Sequence, residues 1–363
     1  PGATIVATGC YPQRAPDELS KLEEVDLILG NFVKPNLVKK IVEGNYQQPT
    51  TPCGTGSDEL SMPPIKLRSR AMVKIQEGCN QVCTYCIVPK VRGRERSIPV
   101  RDLISEINSL HMDGYKEVVL TGTQLGSYGF DLENTDLVVL LKTILSETNI
   151  ARLRVSSLQP QEITDELLDL WTDPRLCPHF HMPLQSGSDI VLKRMHRRYN
   201  SKQYLQAVTA INTGIKAASI TGDIICGFPG ETEDMFRETV EICEEIGFAD
   251  AHVFPYSARP GTSASYLDHQ LDSKSKKRRV SALITMIHQQ AKTFRENLVG
   301  QIRPVLWERM SPIGRIGPAE WIGLTDNYIK VVTSDTRTLA NEITQAQLFD
   351  YTNDVVVARV LDV

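Results

Sequence analysis

The chain has no apolar run approaching the ~18 residues needed to cross a membrane, and no charged-then-apolar leader opens it. Neither a membrane span nor secretion is therefore indicated. Neither sign of charge dominates: 40 lysines and arginines stand against 44 aspartates and glutamates, a net charge of −4. Such a balance gives no global push toward nucleic acid, so any RNA contact must come from local patches. Internal repeats and low-complexity tracts are absent, and the seven histidines show no ligand spacing. An initiator methionine is missing too. Pro1-Gly2-Ala3 runs directly into the strand-like Thr4–Thr8, so the sequence is expected to be a fragment, a processed form or a piece cut inside a domain.

At 363 residues, 41% hydrophobic and 23% charged, the chain has room for two or three ordinary globular domains. Residues 1–45 alternate strand and helix: strands at Thr4–Thr8 and Val25–Leu29, helical stretches near Asp17–Glu24 and Pro35–Glu43. Residues 46–64 are rich in Pro, Thr, Gly and Ser and read as a linker. From 65 to 299, six candidate strands alternate with helical patterns. The strands are Met72–Gln76, Glu117–Thr121, Arg152–Ser156, His179–Pro183, Ile220–Cys226 and Asp250–Pro255. That alternation predicts an α/β fold with a parallel sheet, either doubly wound or an incomplete barrel. Residues 300–363 lose the helical period. Short strands at Ile302–Trp307, Trp321–Leu324, Tyr328–Thr333 and Val355–Leu361 suggest a small β-barrel.

Eight cysteines suit a reducing cytosol, and three of them are clustered: Cys79, Cys83 and Cys86, directly after the first of the six strands. Four cysteines usually hold an iron–sulfur cubane. Three leave one iron without a protein ligand, and an open metal position is where chemistry takes place, as at catalytic zinc. A structural zinc site would need a fourth ligand, and the nearest candidates, Cys53 and His111, lie outside any tight knuckle. Cys177, Cys226 and Cys243 sit in or beside apolar segments and read as packing.

The spacing Cys-x3-Cys-x2-Cys, with Tyr85 before its last cysteine, resembles the signature of radical S-adenosylmethionine enzymes. Further phrases resemble one branch, the methylthiotransferases. They include Ile87–Gly93, Leu120-Thr121-Gly122, His181–Ser188, Met195–Tyr199, Asp223–Thr232 and His252–Ser257. The resemblance spans essentially the whole chain and implies a partial (β/α)6 barrel. It also implies a truncated N-terminal α/β domain and a C-terminal TRAM-like barrel that grips RNA. It implies a 4Fe–4S cluster on Cys79, Cys83 and Cys86 whose free iron takes S-adenosylmethionine, cleaved by one electron to a 5′-deoxyadenosyl radical. A second, auxiliary 4Fe–4S cluster is implied as well. Thr8–Gln13 resembles the segment carrying its third cysteine, here Cys10, with the other two expected before Pro1. Cys53 is a weak substitute.

Gly323–Val332 and Gly126–Gly129 look most like enzymes acting on N6-threonylcarbamoyladenosine beside the anticodon of tRNA. Relatives acting on N6-isopentenyladenosine or on a ribosomal-protein aspartate share the core motifs. An iron–sulfur RNA-binding protein without turnover is the rival from another class. In the favoured reading, one S-adenosylmethionine supplies a methyl to sulfur on the auxiliary cluster, and a second supplies the radical. The electron comes from a donor such as flavodoxin or ferredoxin.

Several residues carry two readings. Tyr85 packs near the adenine of the cofactor or simply keeps water from the cluster. Gly122 lets the cofactor approach the backbone or is an ordinary strand-end glycine. Gln185 and Asp223 hold ribose hydroxyls or the methionyl ammonium, or cap a helix. Among the basic residues, Arg92 and Arg197 are the expected contacts to tRNA phosphates, though charge runs are commonly solvated surface. Residues 301–363 hold six Lys+Arg against eight Asp+Glu, which weakens an electrostatic case there. Trp307, Trp321 and Tyr328 either stack on bases or fill the barrel.

Overall fold

The computed structural model describes residues 3–43, 69–310, 319–352 and 354–361. The expected linker and Cys53 fall outside them. The first segment opens with β1 (Val6–Gly9) and β2 (Leu27–Gly30), which pair in parallel. A short helix, Cys10–Arg14, lies between them, outside the helical stretches expected from the sequence, and it packs against the helix Val88–Arg92. The helix expected over Asp17–Glu24 is shorter and earlier, Pro16–Leu19. Pro16 is a good first helical residue.

The central body is built on β3 (Arg70–Lys74), the two-residue ribbon β4 (Gln76–Glu77) with β5 (Arg96–Ser97), β6 (Glu117–Thr121) and β7 (Arg152–Val155). β8 (His179–His181), β9 (Ser219–Cys226) and β10 (Asp250–Pro255) complete it. Two parallel sheets, β3-β6-β7 and β8-β9-β10, are joined where Leu153 exchanges backbone hydrogen bonds with Arg175 and Cys177 at 2.8 and 2.9 Å. Six parallel strands thus form the open barrel that the sequence implied. Each strand puts alternate residues outward under the helices. Val73, Leu120, Leu153, Phe180 and Ile224 are buried there with Leu103, Ile107, Leu140, Ile144, Tyr204 and Ile287 from the surrounding helices. The opposite faces, mostly polar but including Met72 and Val119, look into the lumen. No helix among the described residues is long and apolar enough to cross a membrane.

β11 (Ile302–Met310), β12 (Ala319–Thr325), β13 (Lys330–Asp335), β14 (Ile343–Thr352) and β15 (Val355–Val360) close into a small barrel in the order β11-β12-β13-β15-β14. Trp307 and Trp321 fill its core with Val331, Ala346, Leu348 and Val356. They are therefore not stacking platforms. β14 went unseen in the sequence because its inward positions, Ala346 and Leu348, are flanked by Gln, Asp and Thr. The strand expected from Tyr328 begins only at Lys330, since Tyr328 ends a turn with φ +70°.

That turn joins the two bodies. Asn327, fully buried, donates to the Ala217 carbonyl at 3.0 Å and accepts at its own carbonyl from Ser219 Oγ at 2.6 Å. The Tyr328 ring stacks flat on His179 with centroids 4.6 Å apart, and the Arg154 guanidinium lies 4.8 Å from the same ring. Arg152 donates to the Leu324 and Pro304 carbonyls of the small barrel. Its Nη1 is also 3.6 Å from Glu117, which takes Arg154 Nε at 2.8 Å and Nη2 at 3.3 Å. Burial alone would raise the Glu117 pKa; the two arginines outweigh it and hold the carboxyl below its usual range. Glu117→Ala strands two buried guanidinium charges, and should destabilise the fold by ~3–5 kcal/mol. Urea denaturation checks this, and an unchanged midpoint would show that the pair contributes nothing.

Candidate active site

The three-cysteine loop leaves the carboxyl end of β3, the edge where parallel α/β sheets bind ligands. Its base is clamped by the β4–β5 ribbon and by the Cys79 N–H on the Gly93 carbonyl, 3.2 Å away. Gly78 has φ +79°, and a Cβ there would lie 2.0 Å from the Arg94 carbonyl oxygen, so only glycine fits before Cys79. At the tip, Thr84 N–H donates to the Met195 carbonyl and Thr84 Oγ1 to that of Arg194, while Ala264 N–H donates to Thr84. The loop is thus fastened from three directions before any metal is considered.

All three thiols are free. Each has an N–H partner: Gln81 N–H reaches Cys79 Sγ at 3.3 Å, Arg197 Nη1 reaches Cys83 Sγ at 3.4 Å, and Val88 N–H serves Cys86. Burial pushes the Cys79 thiol up to about 11 and raises Cys86 as well, so metal binding there must displace protons. Soft sulfur donors with N–H groups aimed at them fit an iron–sulfur cluster.

Beside the loop, buried glutamines tie three strand ends together. Gln76 Oε1 accepts from the N–H groups of Thr123 and Gln124 at 2.9 and 3.0 Å, and its Nε2 donates to the Gly78 carbonyl. A Cβ on Gly122 would lie 3.1 Å from Gln76 Oε1, so this glycine lets strand end and loop meet. Gln159 Nε2 reaches Gln81 and Gln124, and Glu162 accepts from the Gln124 side chain and the Gln159 N–H.

Gln185, at φ +63°, bridges in backbone to β9 through the Asp223 carbonyl and the Ile225 N–H. Asp223 lies between His181 Nε2 at 3.6 Å and His252 Nδ1 at 3.5 Å, and His181 Nδ1 is 2.8 Å from Ser157 Oγ. The donor atoms of this triad fall within 4.8 Å of one another. Burial would raise the Asp223 pKa; the hydrogen bond and charge of His181, then His252, bring it below the usual range. Both histidines escaped sequence reasoning. Their signal was the alternation His179/His181 and Asp250/His252, which puts them on one strand face.

Tyr85 packs beside the small apolar cluster of Val191, Met195, Phe228, Tyr256 and Ala264. Arg92 and Arg197, expected on tRNA phosphates, both point inward. Arg92 Nε is 3.4 Å from Cys10 Sγ, and Asn31 Nδ2 is 3.3 Å from the same sulfur. Burial opposes ionisation of Cys10, yet these donors, with Lys34, bring its pKa below the ordinary thiol value. Arg197 lies over the Tyr199 ring and on Cys83, while its neighbours Arg194 and Arg198 are exposed.

The radical SAM superfamily model matches residues 73–243. The chain is 34% identical over 358 residues to the threonylcarbamoyladenosine tRNA methylthiotransferase MtaB of Bacillus subtilis, covering 96% of this chain and 79% of that protein. The chain belongs to the radical S-adenosylmethionine methylthiotransferases. It is also 37% identical over 318 residues to a tRNA-2-methylthio-N(6)-dimethylallyladenosine synthase of Pelotomaculum thermopropionicum, covering 85% of this chain and 71% of that one. In fold it is similar to the radical S-adenosylmethionine methyltransferase TsrM of Kitasatospora setae, with a TM-score of 0.57 at 16% identity over 72% of this chain and 57% of that one. As a methylthiotransferase it is an enzyme, and membership implies a 4Fe–4S cluster and S-adenosylmethionine.

Glu162 gives this site a pH signature. Burial first, opposed by its hydrogen bonds, pushes its carboxyl up to about 7 from an ordinary 4.5. Folding therefore takes up a proton between those values, and stability falls as pH rises through that window. Glu162→Gln should flatten the fall, a difference of about 2–3 kcal/mol between pH 4.5 and 7.5. Parallel stability profiles for parent and variant would place the carboxyl at its ordinary pKa.

Proposed function

We propose that the chain transfers a methylthio group to carbon 2 of N6-threonylcarbamoyladenosine beside the anticodon of tRNA. The observation that carries this reading is the match, over nearly the full chain, to a relative named for that substrate, with the fastened three-cysteine loop at the sheet's carboxyl edge. Carbon 2 of adenine has neither a leaving group nor an acidic proton, so acid–base catalysis alone does not functionalise it.

Cys79, Cys83 and Cys86 are the residues that would hold the radical-forming cluster. When bound, that cluster supplies the electron that opens the sulfonium of S-adenosylmethionine. The chain's own part is positioning and exclusion of water. Gln81 N–H and Arg197 hold two of the sulfurs in place. Gly122 leaves room beside the loop, and Gln185 and Asp223 offer polar groups to the cofactor's hydroxyls and ammonium. Phe228 and Tyr256, packed edge to face behind Tyr85, keep the loop's inner side dry.

Cys10, gripped by Arg92 and Asn31, is assigned as one ligand of a second 4Fe–4S cluster. Its helix packs on Val88–Arg92, directly after the cysteine loop, so that cluster would adjoin the first. The division of labour follows residues 1–45 for the auxiliary site, 46–64 as linker, 65–299 for radical chemistry and 300–363 for RNA. A flavodoxin or ferredoxin in the cytosol supplies electrons.

Mass spectrometry of tRNA nucleosides, from a host lacking its own methylthiotransferases, tests this directly. Expression of the gene should produce the 2-methylthio derivative of threonylcarbamoyladenosine, and Cys83→Ala should erase it. Appearance of the isopentenyl derivative alone would move the substrate. A methylthio-aspartate on a ribosomal protein, with tRNA unchanged, would replace the RNA reading.

A further inference from the structure

The six strands and the turn before β13 line a cavity of about 480 Å3. That size falls within the ~300–1,000 Å3 of small-molecule sites. Its lining is electrostatically one-sided. Four cationic side chains, Arg70, Arg154, Arg295 and Lys330, face a single carboxylate, Asp250. Arg70 is paired with Glu308 at 2.6 Å, Arg154 with Glu117 at 2.8 Å, and Arg295 approaches Asp250 at 3.9 Å. Among the described residues, Lys330 alone of the four has no ion-pair partner. It is contributed by the small barrel, next to Tyr328, whose ring is stacked on His179.

With the other three cations paired, the charge left for an anion is that of the exposed Lys330, set in a lining that also includes Met72, Val119, Leu324 and Ile329; a carboxylate placed there gains a charge-assisted hydrogen bond that a hydrocarbon group cannot form. The two candidate nucleosides differ in this respect. A threonylcarbamoyl substituent ends in a free carboxylate and a hydroxyl; an isopentenyl substituent is pure hydrocarbon. Resting on the threonylcarbamoyl reading, we propose that the lumen is the specificity pocket for the N6 substituent. Lys330 receives its carboxylate. The C-terminal barrel then does more than contact RNA: it supplies a residue that reads the modified base from beneath.

The test uses the enzyme with its clusters loaded and three tRNA substrates. One carries threonylcarbamoyladenosine, one the same nucleoside with its carboxylate capped as a methyl ester, and one isopentenyladenosine. A charge-assisted hydrogen bond lost to a neutral group corresponds to ~10–100-fold in kcat/KM. Capping should cost the parent enzyme that factor, and Lys330→Met should lose as much on the uncapped substrate. Lys330→Arg should recover most of the loss. In Lys330→Met, capping should then cost little more, because both changes remove one interaction. An ester processed as well as the free acid by the parent overturns the proposal without requiring any variant to fold. So does an undiminished capping penalty in Lys330→Met. A parent that modifies only the isopentenyl substrate refutes the functional reading itself, an outcome separate from either of these.

Discussion

Glu117 is fully buried between Arg152 and Arg154 at the amino end of the parallel sheet, and much of the molecule is organised around satisfying that group of charges. Strands that give their apolar faces to the surrounding helices must give polar faces to one another. At the loop end those faces can meet cofactor and solvent. At the opposite end they are closed off by the small barrel, so each charge needs a protein partner. Glu117 supplies one, and the carbonyls of Leu324 and Pro304 supply others to Arg152. The aromatic stack of Tyr328 on His179 completes the closure.

The same logic explains why the cysteine loop is held so firmly. A cluster ligated by three side chains has little tolerance for drift in the loop that carries them. Backbone hydrogen bonds to Gly93, Met195 and Ala264 fix it from outside the loop itself. Glutamines suit the remaining space beside it. They are neutral, so they add no charge next to a redox centre, and each can donate and accept at once. The exceptions are Glu95, buried and accepting from the Asn80 N–H of the loop, and Glu162, whose carboxyl keeps a proton to unusually high pH because the surroundings are dry.

Much of this was legible in the sequence. The six parallel strands, the long outer helices and the cysteine triplet all announce themselves by local pattern, since period, spacing and breaker residues are local properties. Cys79, Cys83 and Cys86 stood out because ligand spacing on one loop needs no knowledge of tertiary contacts. The inward course of Arg92 and Arg197 was not legible. A basic run has the same appearance whether it faces solvent or a sulfur, and only packing of Cys10–Arg14 on Val88–Arg92 separates the two. The lumen triad of His181, Asp223 and His252 was hidden for a related reason. Its members lie on three different strands, and registry between β8, β9 and β10 brings them together. β14 was missed because a barrel strand buries only every second residue, and here those residues are small or isolated.

The turn at Asn327 and Tyr328 has a consequence for how separable the C-terminal barrel is. It looks like an appended module, with its own closed sheet and its own tryptophan core. Yet Asn327 is as buried as any core leucine, and its partners, Ala217 and Ser219, belong to the other body. Removing the barrel would leave Arg152 without its carbonyl acceptors and expose the Arg154–Glu117 pair at the open end of the lumen. The two bodies therefore share buried polar contacts, despite two hydrophobic cores. A barrel transplanted from a distant relative would have to bring a matching turn with it, or the catalytic sheet would lose the bottom of its own interior.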